Sequence, residues 1–493
     1  AFSAEGALVA RAQREYQPIV GANGLRELDA QQVWSAAREA IAEAVAGSRG
    51  DPVQAIAVAS IGEALVPLGA DGRIAGRALL DLGGQARPYV EALGAQLGVE
   101  RIYDLTRQLP GPYYWLPKLC WLRDKHPESM DRAWVYVSLS GLVCYLLGGA
   151  ATSDYSLASS TLLLDSDRRD WSRDLLAPCR LPMEKLPRLA QAGTPVGTLA
   201  PAVAREVALS PKVRLLLGGH SQACQALGAG VMRAGTALYG LSGHAYINAA
   251  FQAVPLISLM RERGLDSAYH VVPDLYTSRR VNPSGGVLLR WVRDQLAPLE
   301  RRLALRRGAN PYDVLLSEMP AEPTRLLALP HLAPAVMERR GAEPDARGGP
   351  SGAVLGLTLN TTRGEIVKGL LEGMTLHLAE GQRLLEQSGV RITLYRSVGE
   401  GSRSDAWQQL VADVMGVPLE RTAQVDPAPL GAAILAGVGS TLYSDIEEGV
   451  ARTVQVTARF EPDPVRHEAY RRKLELYREL DDLLAPYLTR LRG

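Results

Sequence analysis

Short apolar runs and longer amphipathic stretches take turns along most of the chain. AIAVAS (55–60) and RLLLGG (214–219) are continuous apolar runs of strand length. VWSAAREAIAEAVAG (33–47) repeats its apolar residues every three or four positions and ends at a glycine, which predicts a helix. LVPLGADGRIAG (65–76) and TALYGLSGHAYINAAF (236–251) each read as strand, turn, strand, the first around an Asp-Gly pair. WLPKLCWLRDKHPESM (115–130) predicts a long helical tract in which two prolines mark breaks or starts, and residues 362–389 predict a second long helix. Residues 391–416 read as strand, glycine-containing loop and helix, and PLGAAILAGVG (429–439) as a helix of small residues. Residues 465–491 predict an amphipathic helix with charged faces, and GAEPDARGGPSG (341–352) predicts a loop. No internal repeat or low-complexity tract interrupts the alternation. Such an order predicts α/β domains with mixed sheets flanked by helices. Two domains enclosing a cleft would put strand-end loops such as GGHSQ (218–222) and SVGEGSRS (397–404) at a binding surface.

Composition changes this picture little. At 493 residues the chain exceeds the size at which one hydrophobic core stops growing. Its 54 basic and 53 acidic residues leave no global field to favour nucleic acid or an anionic membrane. RERG (261–264) and ERRLALRR (300–307) are local cationic clusters, readable as solvated helix faces or as binding patches. Cys120, Cys144, Cys179 and Cys224 have no CxxC spacing and no histidine ladder, so the expectation is reduced thiols in the cytoplasm, without disulfide or metal site. No apolar run approaches the ~20 residues that span a bilayer.

Chemistry concentrates at LLLGGHSQACQALGAG (215–230), an apolar strand entering two glycines, a polar tip and an alanine-rich helix. Ser221 at that tip reads as a nucleophile, a ligand contact or a helix cap with Gln222 beside it. An acyl-transfer role has little support. His220 is its sequence neighbour and points away in an extended backbone, and no GxSxG elbow surrounds the serine. Trp115 and Trp121 with Tyr113 and Tyr114 read as stacking platforms or, at helical spacing beside Leu116, Leu119 and Leu122, as core. His331 in LPHLAP reads as a packed strand-end side chain or as a ligand.

A family pattern runs through these segments in order. LPKLCWLRDKHPESMDRA (116–133), SDYSLASSTLLLDSDRRDWSRDLL (153–176), GGHSQACQALGAGVMRAGTAL (218–238), VGEGSRSDAWQQLVADVMGVPL (398–419) and LGAAILAGVG (430–439) resemble successive blocks of the FGGY-family carbohydrate kinases, with the flavour of their xylulose kinase branch. GLRELDAQQVW (24–34), PVGTLAPAVAREVAL (195–209) and residues 345–374 extend the resemblance over nearly the whole chain. It implies two ribonuclease H-like (actin-like ATPase) domains, 1–233 for the sugar and 234–493 for the nucleotide. It also implies phosphoryl transfer from Mg-ATP to a sugar, such as a pentulose, or a polyol. The chain opens after the strand that ends D-GT in the family. No nucleic acid or membrane partner is expected, and a homodimer is the assembly left open.

The same resemblance exposes departures at the chemistry. Ser221 stands where the family has its base, an aspartate able to take a hydroxyl proton. Around it the resemblance assigns the sugar side to Glu63, Asp81, Gln85, His220 and Gln222. Ile61 and Glu63 fall in the family's SGQMHG turn, and Gly83 and Gln85 replace the Asp and Arg of its W-D-R segment. Glu63 and Asp81 read as a new polyol-binding pair or as solvated loop charges. On the nucleotide side, Ser242, Gly243 and His244 fall on the family's LGTSG, and Gly399, Glu400, Gly401 and Ser404 on its GGGARS. Glu400 adds a negative charge where polyphosphate would pass, an opposition of about 1–4 kcal/mol at ~4 Å unless it turns to solvent or to Arg403. The expectation is therefore a carbohydrate kinase of impaired turnover, or a kinase-shaped protein that binds a ligand or partner without catalysis.

Overall fold

The computed structural model describes residues 1–21, 24–48, 52–252, 256–332 and 352–491. Its internal contacts define two compact units. The first comprises Ala1–Met232, Asp266–Thr277 and Pro427–Val454, and the second Arg233–Leu265, Ser278–Asp426 and Gln455–Gly493.

In the first unit the two continuous apolar runs form a parallel pair. Ala55–Ser60 lies beside Arg214–His220, with Arg214 opposite Ala55 and His220 opposite Ser60. The register shifts at Gly218, where a Cβ would sit 2.2 Å from the Val58 carbonyl oxygen. Pro195–Thr198 adds to the pair antiparallel, so the sheet is mixed. Val66–Gly69 with Ala133–Val137 and Arg26–Leu28 with Ala78–Asp81 form further antiparallel pairs. The Ala30–Gly47 helix starts where Asp29 accepts from the Gln31 and Gln32 N–H groups, the ordinary use of an aspartate at an N-cap. After Arg214–His220 comes the Ser221–Gly228 helix, which crosses the Ala428–Gly439 helix with glycine on each side. A Cβ at Gly228 would lie 2.0 Å from the Pro427 oxygen, and one at Gly431 1.9 Å from the Cys224 oxygen.

The expected tract 115–130 is two helices, Trp115–Lys125 and Pro127–Arg132. His126 separates them at φ −143°, because the ring of Pro127 drives the residue before it out of the helical region. Tyr114, Trp115 and Trp121 are buried at 1%, 2% and 6% exposure in one apolar cluster, and Trp115 Nε1 donates to the Gly62 carbonyl oxygen at 2.9 Å. They are core, which settles their two sequence readings.

The second unit is built on a mixed sheet in which Ala245–Phe251, Thr236–Leu241, Leu394–Val398, Leu419–Thr422 and Val456–Phe460 follow one another in that order. Thr236–Leu241 runs antiparallel to Ala245–Phe251 and parallel to Leu394–Val398. The Arg363–Gln387 helix begins with a reciprocal cap, Thr362 accepting from the Glu365 N–H while Glu365 accepts from that of Thr362. Halfway along it Glu372 is fully buried, and it accepts from Thr324, Tyr470 and Lys473, the last at 2.5 Å. One turn earlier, Lys368 donates to the carbonyls of Pro320, Ala321 and Glu322 at 2.7–2.9 Å. These partners satisfy two charges inside an otherwise apolar helix face, where an unpaired charge is costly. They also tie that helix to the C-terminal one, Pro464–Arg490. The expected loop at 341–352 lies, except for Gly352, outside the described residues. No helix among the described residues is long and apolar enough to cross a membrane.

Candidate functional site

Two groups of expected site residues come together, one in each unit. In the first unit the strand Arg214–His220 ends at His220, whose Nδ1 accepts from the Gln222 N–H at 3.2 Å. His220 is therefore the N-cap, which corrects the reading of Ser221 as the cap. The strand runs one residue further than its apolar pattern shows, and Ser221 becomes the first helical residue, half-buried with Gln222. That bond also fixes the imidazole. With Nδ1 accepting, a neutral ring carries its proton on Nε2, which faces Glu63 Oε2 at 3.7 Å. Glu63 and His220 side chains are only 15% and 10% exposed, so Glu63 is no solvated loop charge. The backbone brings them together because residue 62 is glycine, where a Cβ would meet Ser160 Cβ at 2.6 Å and His220 Cδ2 at 3.2 Å.

A residue the sequence reading passed over completes this group. Lys118 is 0% exposed and donates through Nζ to the Glu63 carbonyl oxygen at 2.7 Å. Burial lowers its ammonium to about 8, while the Glu63 and Asp81 carboxylates pull it back up. Asp81 is half-buried and accepts from the Gly83 N–H at 2.9 Å, which begins the short turn Gly83–Gln85 holding Gln85. The available signal was a lysine inside the apolar string LPKLCWL, too deep in a hydrophobic helix to be solvated. Behind the strand, Asp154 is buried at 1% and accepts from Ser156 N–H and O–H at 2.9 and 2.5 Å, and Ser156 Oγ accepts from the His220 N–H at 2.8 Å. Burial pushes the Asp154 carboxyl up against the pull of these bonds. The SDYS block thus supports the end of the GGHS strand.

In the second unit Ser242, Gly243 and His244 form the exposed turn between Thr236–Leu241 and Ala245–Phe251. Gly286 N–H donates to the Ser242 oxygen at 2.8 Å. Partial burial, then the Arg279 guanidinium, holds the His244 imidazole below its ordinary range, although the residue stays largely exposed. The Gly399–Gly401 loop packs on the same turn. Gly399 has φ +92°, and a Cβ there would lie 2.4 Å from the Leu241 oxygen; one at Gly401 would lie 2.8 Å from Leu241 Cβ. Glycine is required at the first by conformation and at both by space. A Cβ at Gly243 would meet nothing within 4 Å, so this turn opens to space. Glu400 turns outward to Arg403 at 3.2 Å, both well exposed. Ser404 caps the Asp405–Met415 helix, accepting from the Trp407 N–H at 3.3 Å. His331 faces Asp481 at 2.9 Å with His377 ring-to-edge at 5.8 Å.

Two adjoining family descriptions cover this arrangement. The model of the FGGY family of carbohydrate kinases, N-terminal domain, matches residues 1–228, and that of its C-terminal domain matches residues 254–440. The chain belongs to the FGGY family of carbohydrate kinases. Within the family it is xylulose kinase-like. It is 25% identical over 481 residues to xylulose kinase of Bacillus subtilis (strain 168), covering 96% of this chain and 92% of that protein. It is 26% identical over 484 residues to autoinducer-2 kinase of Escherichia coli (strain K12), covering 95% and 89%. Among solved structures, ligand-bound xylulose kinase from Lactobacillus acidophilus superposes with a TM-score of 0.86 at 20% identity, over 99% of this chain and 96% of that one. Plasmodium falciparum glycerol kinase with ADP gives 0.80 at 18% identity, over 97% and 94%. The two-domain actin-like FGGY fold expected from the sequence is therefore the fold of this chain.

Proposed function

We propose that this FGGY kinase binds a sugar or polyol on its first unit and passes it the γ-phosphoryl group of Mg-ATP, slowly, because Ser221 stands at the base position. The environment of Ser221 carries the reading. A serine hydroxyl has no accessible basic form without an activator. His220 cannot serve as one, since Nδ1 is committed to the Gln222 N–H and Nε2 faces Glu63. Glu63 faces the His220 ring at 3.7 Å, whereas Asp154 is taken up by Ser156 and Leu157, so Glu63 is the carboxylate assigned here to accept a hydroxyl proton.

Glu63, Asp81, Gln85 and the His220–Gln222 tip offer mostly acceptors, with Lys118 behind them to offset the paired negative charge. Such a set suits a ligand rich in hydroxyl donors and carrying no carboxylate of its own. Relatives named xylulose kinase and autoinducer-2 kinase make a pentulose the first acceptor to test and autoinducer-2 the second. On the second unit the close glycine packing at Gly399 and Gly401 and the open space at Gly243 fit a nucleotide. Ser242, Gly243, His244, Gly399, Gly401 and Ser404 would hold it, with Glu400 drawn aside by Arg403. Bound Mg²⁺ would supply charge neutralisation between phosphate oxygens. Four buried, unbridged cysteines suit work in the cytoplasm.

The missing base also favours a second reading, a ligand- or partner-binding protein that does not turn over. Calorimetric titration with Mg-ATP, followed by a turnover assay of Ser221→Asp, separates the two. A positioned base contributes about 10²–10⁴-fold, so kinase chemistry predicts ATP binding and a rise of that order in the variant. No ATP heat, or a variant no faster than the parent at saturating ATP, removes the kinase reading.

A further inference from the structure

Two helices of the second unit hold apolar rows out to solvent, and the charges beside those rows are of opposite sign. In Pro298–Arg306, which carries most of the cationic cluster ERRLALRR, Ala304 is the one buried residue. Leu299 and Leu303, four positions apart and so on one side, are 62% and 41% exposed. Arg302 and Arg306 form the adjoining row, exposed and with no acidic partner among the described residues. A helix this short does not hold itself together in water. Glu300, paired with Arg363, and Arg301, 3.3 Å from Asp294, tie it down.

The second helix is Pro464–Arg490. One side of it is buried at Tyr470, Tyr477 and Leu488. On another side Leu476, Leu483 and Tyr487 are 55%, 60% and 58% exposed, and their spacing of seven and four keeps them in one row. Glu479 and Asp482 lie beside that row, exposed and with no basic partner among the described residues. Basic residues flank the row only at its ends, Arg472 paired with Glu468 and Arg490 in the last turn. Both helices are fastened to Arg363–Gln387, towards opposite ends. Arg363 holds Glu300 at the start, and Glu380 takes Arg478 at 3.3 Å, about 26 Å further along the axis.

We propose that these two rows are the halves of one interface between two copies of this chain. Pro298–Arg306 of each copy lies on residues 476–487 of the other. Leu299 and Leu303 meet Leu476, Leu483 and Tyr487, while Arg302 and Arg306 meet Glu479 and Asp482. Exposed apolar rows of this kind mark contact surfaces, and unpaired charges of opposite sign beside them select the partner. The placement at opposite ends of one long helix supplies the symmetry. A two-fold axis that sets the two long helices antiparallel brings both contacts together, so the pair closes and leaves neither row for a third copy. The inference is independent of the chemistry at Ser221.

Sedimentation equilibrium of the full-length chain at micromolar concentration tests it. The parent should run at twice the chain mass, and the pair should loosen as sodium chloride is raised, because its charges lie at the surface. Arg302→Glu with Arg306→Glu reverses one row, and Glu479→Arg with Asp482→Arg reverses the other. Each variant alone places like charges together and should weaken pairing by about tenfold or more. Mixed in equal amounts, the two variants should pair again, since every contact then joins opposite charges. That recovery cannot come from misfolded chains. A parent that stays single overturns the proposal, as does a pair that neither variant loosens. Variants of parental melting temperature that stay single when mixed also overturn it. So does a single chain that binds phosphatidylglycerol vesicles and loses them on Arg302→Glu with Arg306→Glu, which would assign the basic helix to a lipid surface.

Discussion

Lys118 holds an ammonium where no water reaches, and the consequence is measurable in pH. Its pKa falls from 10.5 in the open chain to about 8 in the fold. Below about pH 8 both states are protonated and the folded state carries the full penalty of the buried charge. Between 8 and 10.5 the folded chain has released the proton while the unfolded chain keeps it, so stability rises with pH across that window. Lys118→Met has no such rise. Denaturant midpoints at about pH 7 and about pH 10 should show the parent gaining about 2 kcal/mol on the variant. A constant difference between the two proteins would mean that Lys118 titrates as an ordinary lysine. The same residue should tune sugar affinity, because deprotonation leaves Glu63 and Asp81 without their nearby positive charge.

The crossing of Ser221–Gly228 with Ala428–Gly439 shows what an element demands of a single side chain. At Gly431 a methyl would meet the Cys224 carbonyl at 1.9 Å, and backbone cannot yield as a flexible side chain can. Gly431→Ala should cost about 1–3 kcal/mol or more by overpacking. Gly243→Ala, whose methyl meets nothing within 4 Å, should leave the melting temperature unchanged. Equal melting temperatures for the two variants would contradict the crossing. Elements of this kind were legible in the sequence because period and punctuation determine them locally. The Ala30–Gly47 helix, the hairpin of Thr236–Leu241 with Ala245–Phe251, the long Arg363–Gln387 helix and the apolar strands stand where their patterns put them. Of the hairpin expected at 65–76 only the strand Val66–Gly69 forms, joined to the rest by the single bridge Leu68–Ile74, and it pairs instead with Ala133–Val137. The break at His126 was legible as well, since Pro127 marks a break or start in the helical tract, and Pro117 lies in the first turn of Trp115–Lys125. The order of glycine loops was legible too. The partnerships of Glu372 with Thr324, Lys118 with Glu63 and His220 with Glu63 were not, since each joins residues 48 or more positions apart that no local period records.

The whole molecule is discontinuous in a way its element order conceals. One apolar cluster of the first unit joins Ala223, Cys224 and Leu227 to Val271 and to Leu430, Ile434, Leu435 and Val450, drawing on all three of its chain segments. A chain ending at Met232 should therefore aggregate. The same chain with residues 427–454 attached through a flexible linker should gain soluble yield, which sedimentation of lysates measures. Equal yields would mean that the first segment closes its own core. This feature also bears on how the protein is made. On the ribosome the GGHSQ strand and its helix emerge about 200 residues before the segment that covers them, a delay of about 10–40 s at ordinary elongation rates. During that interval the nascent first unit presents an apolar face, and the second unit is synthesised while the first is still open. Translation speed and chaperone occupancy across residues 233–426 thus become determinants of yield, even where no side chain of the finished fold has been altered.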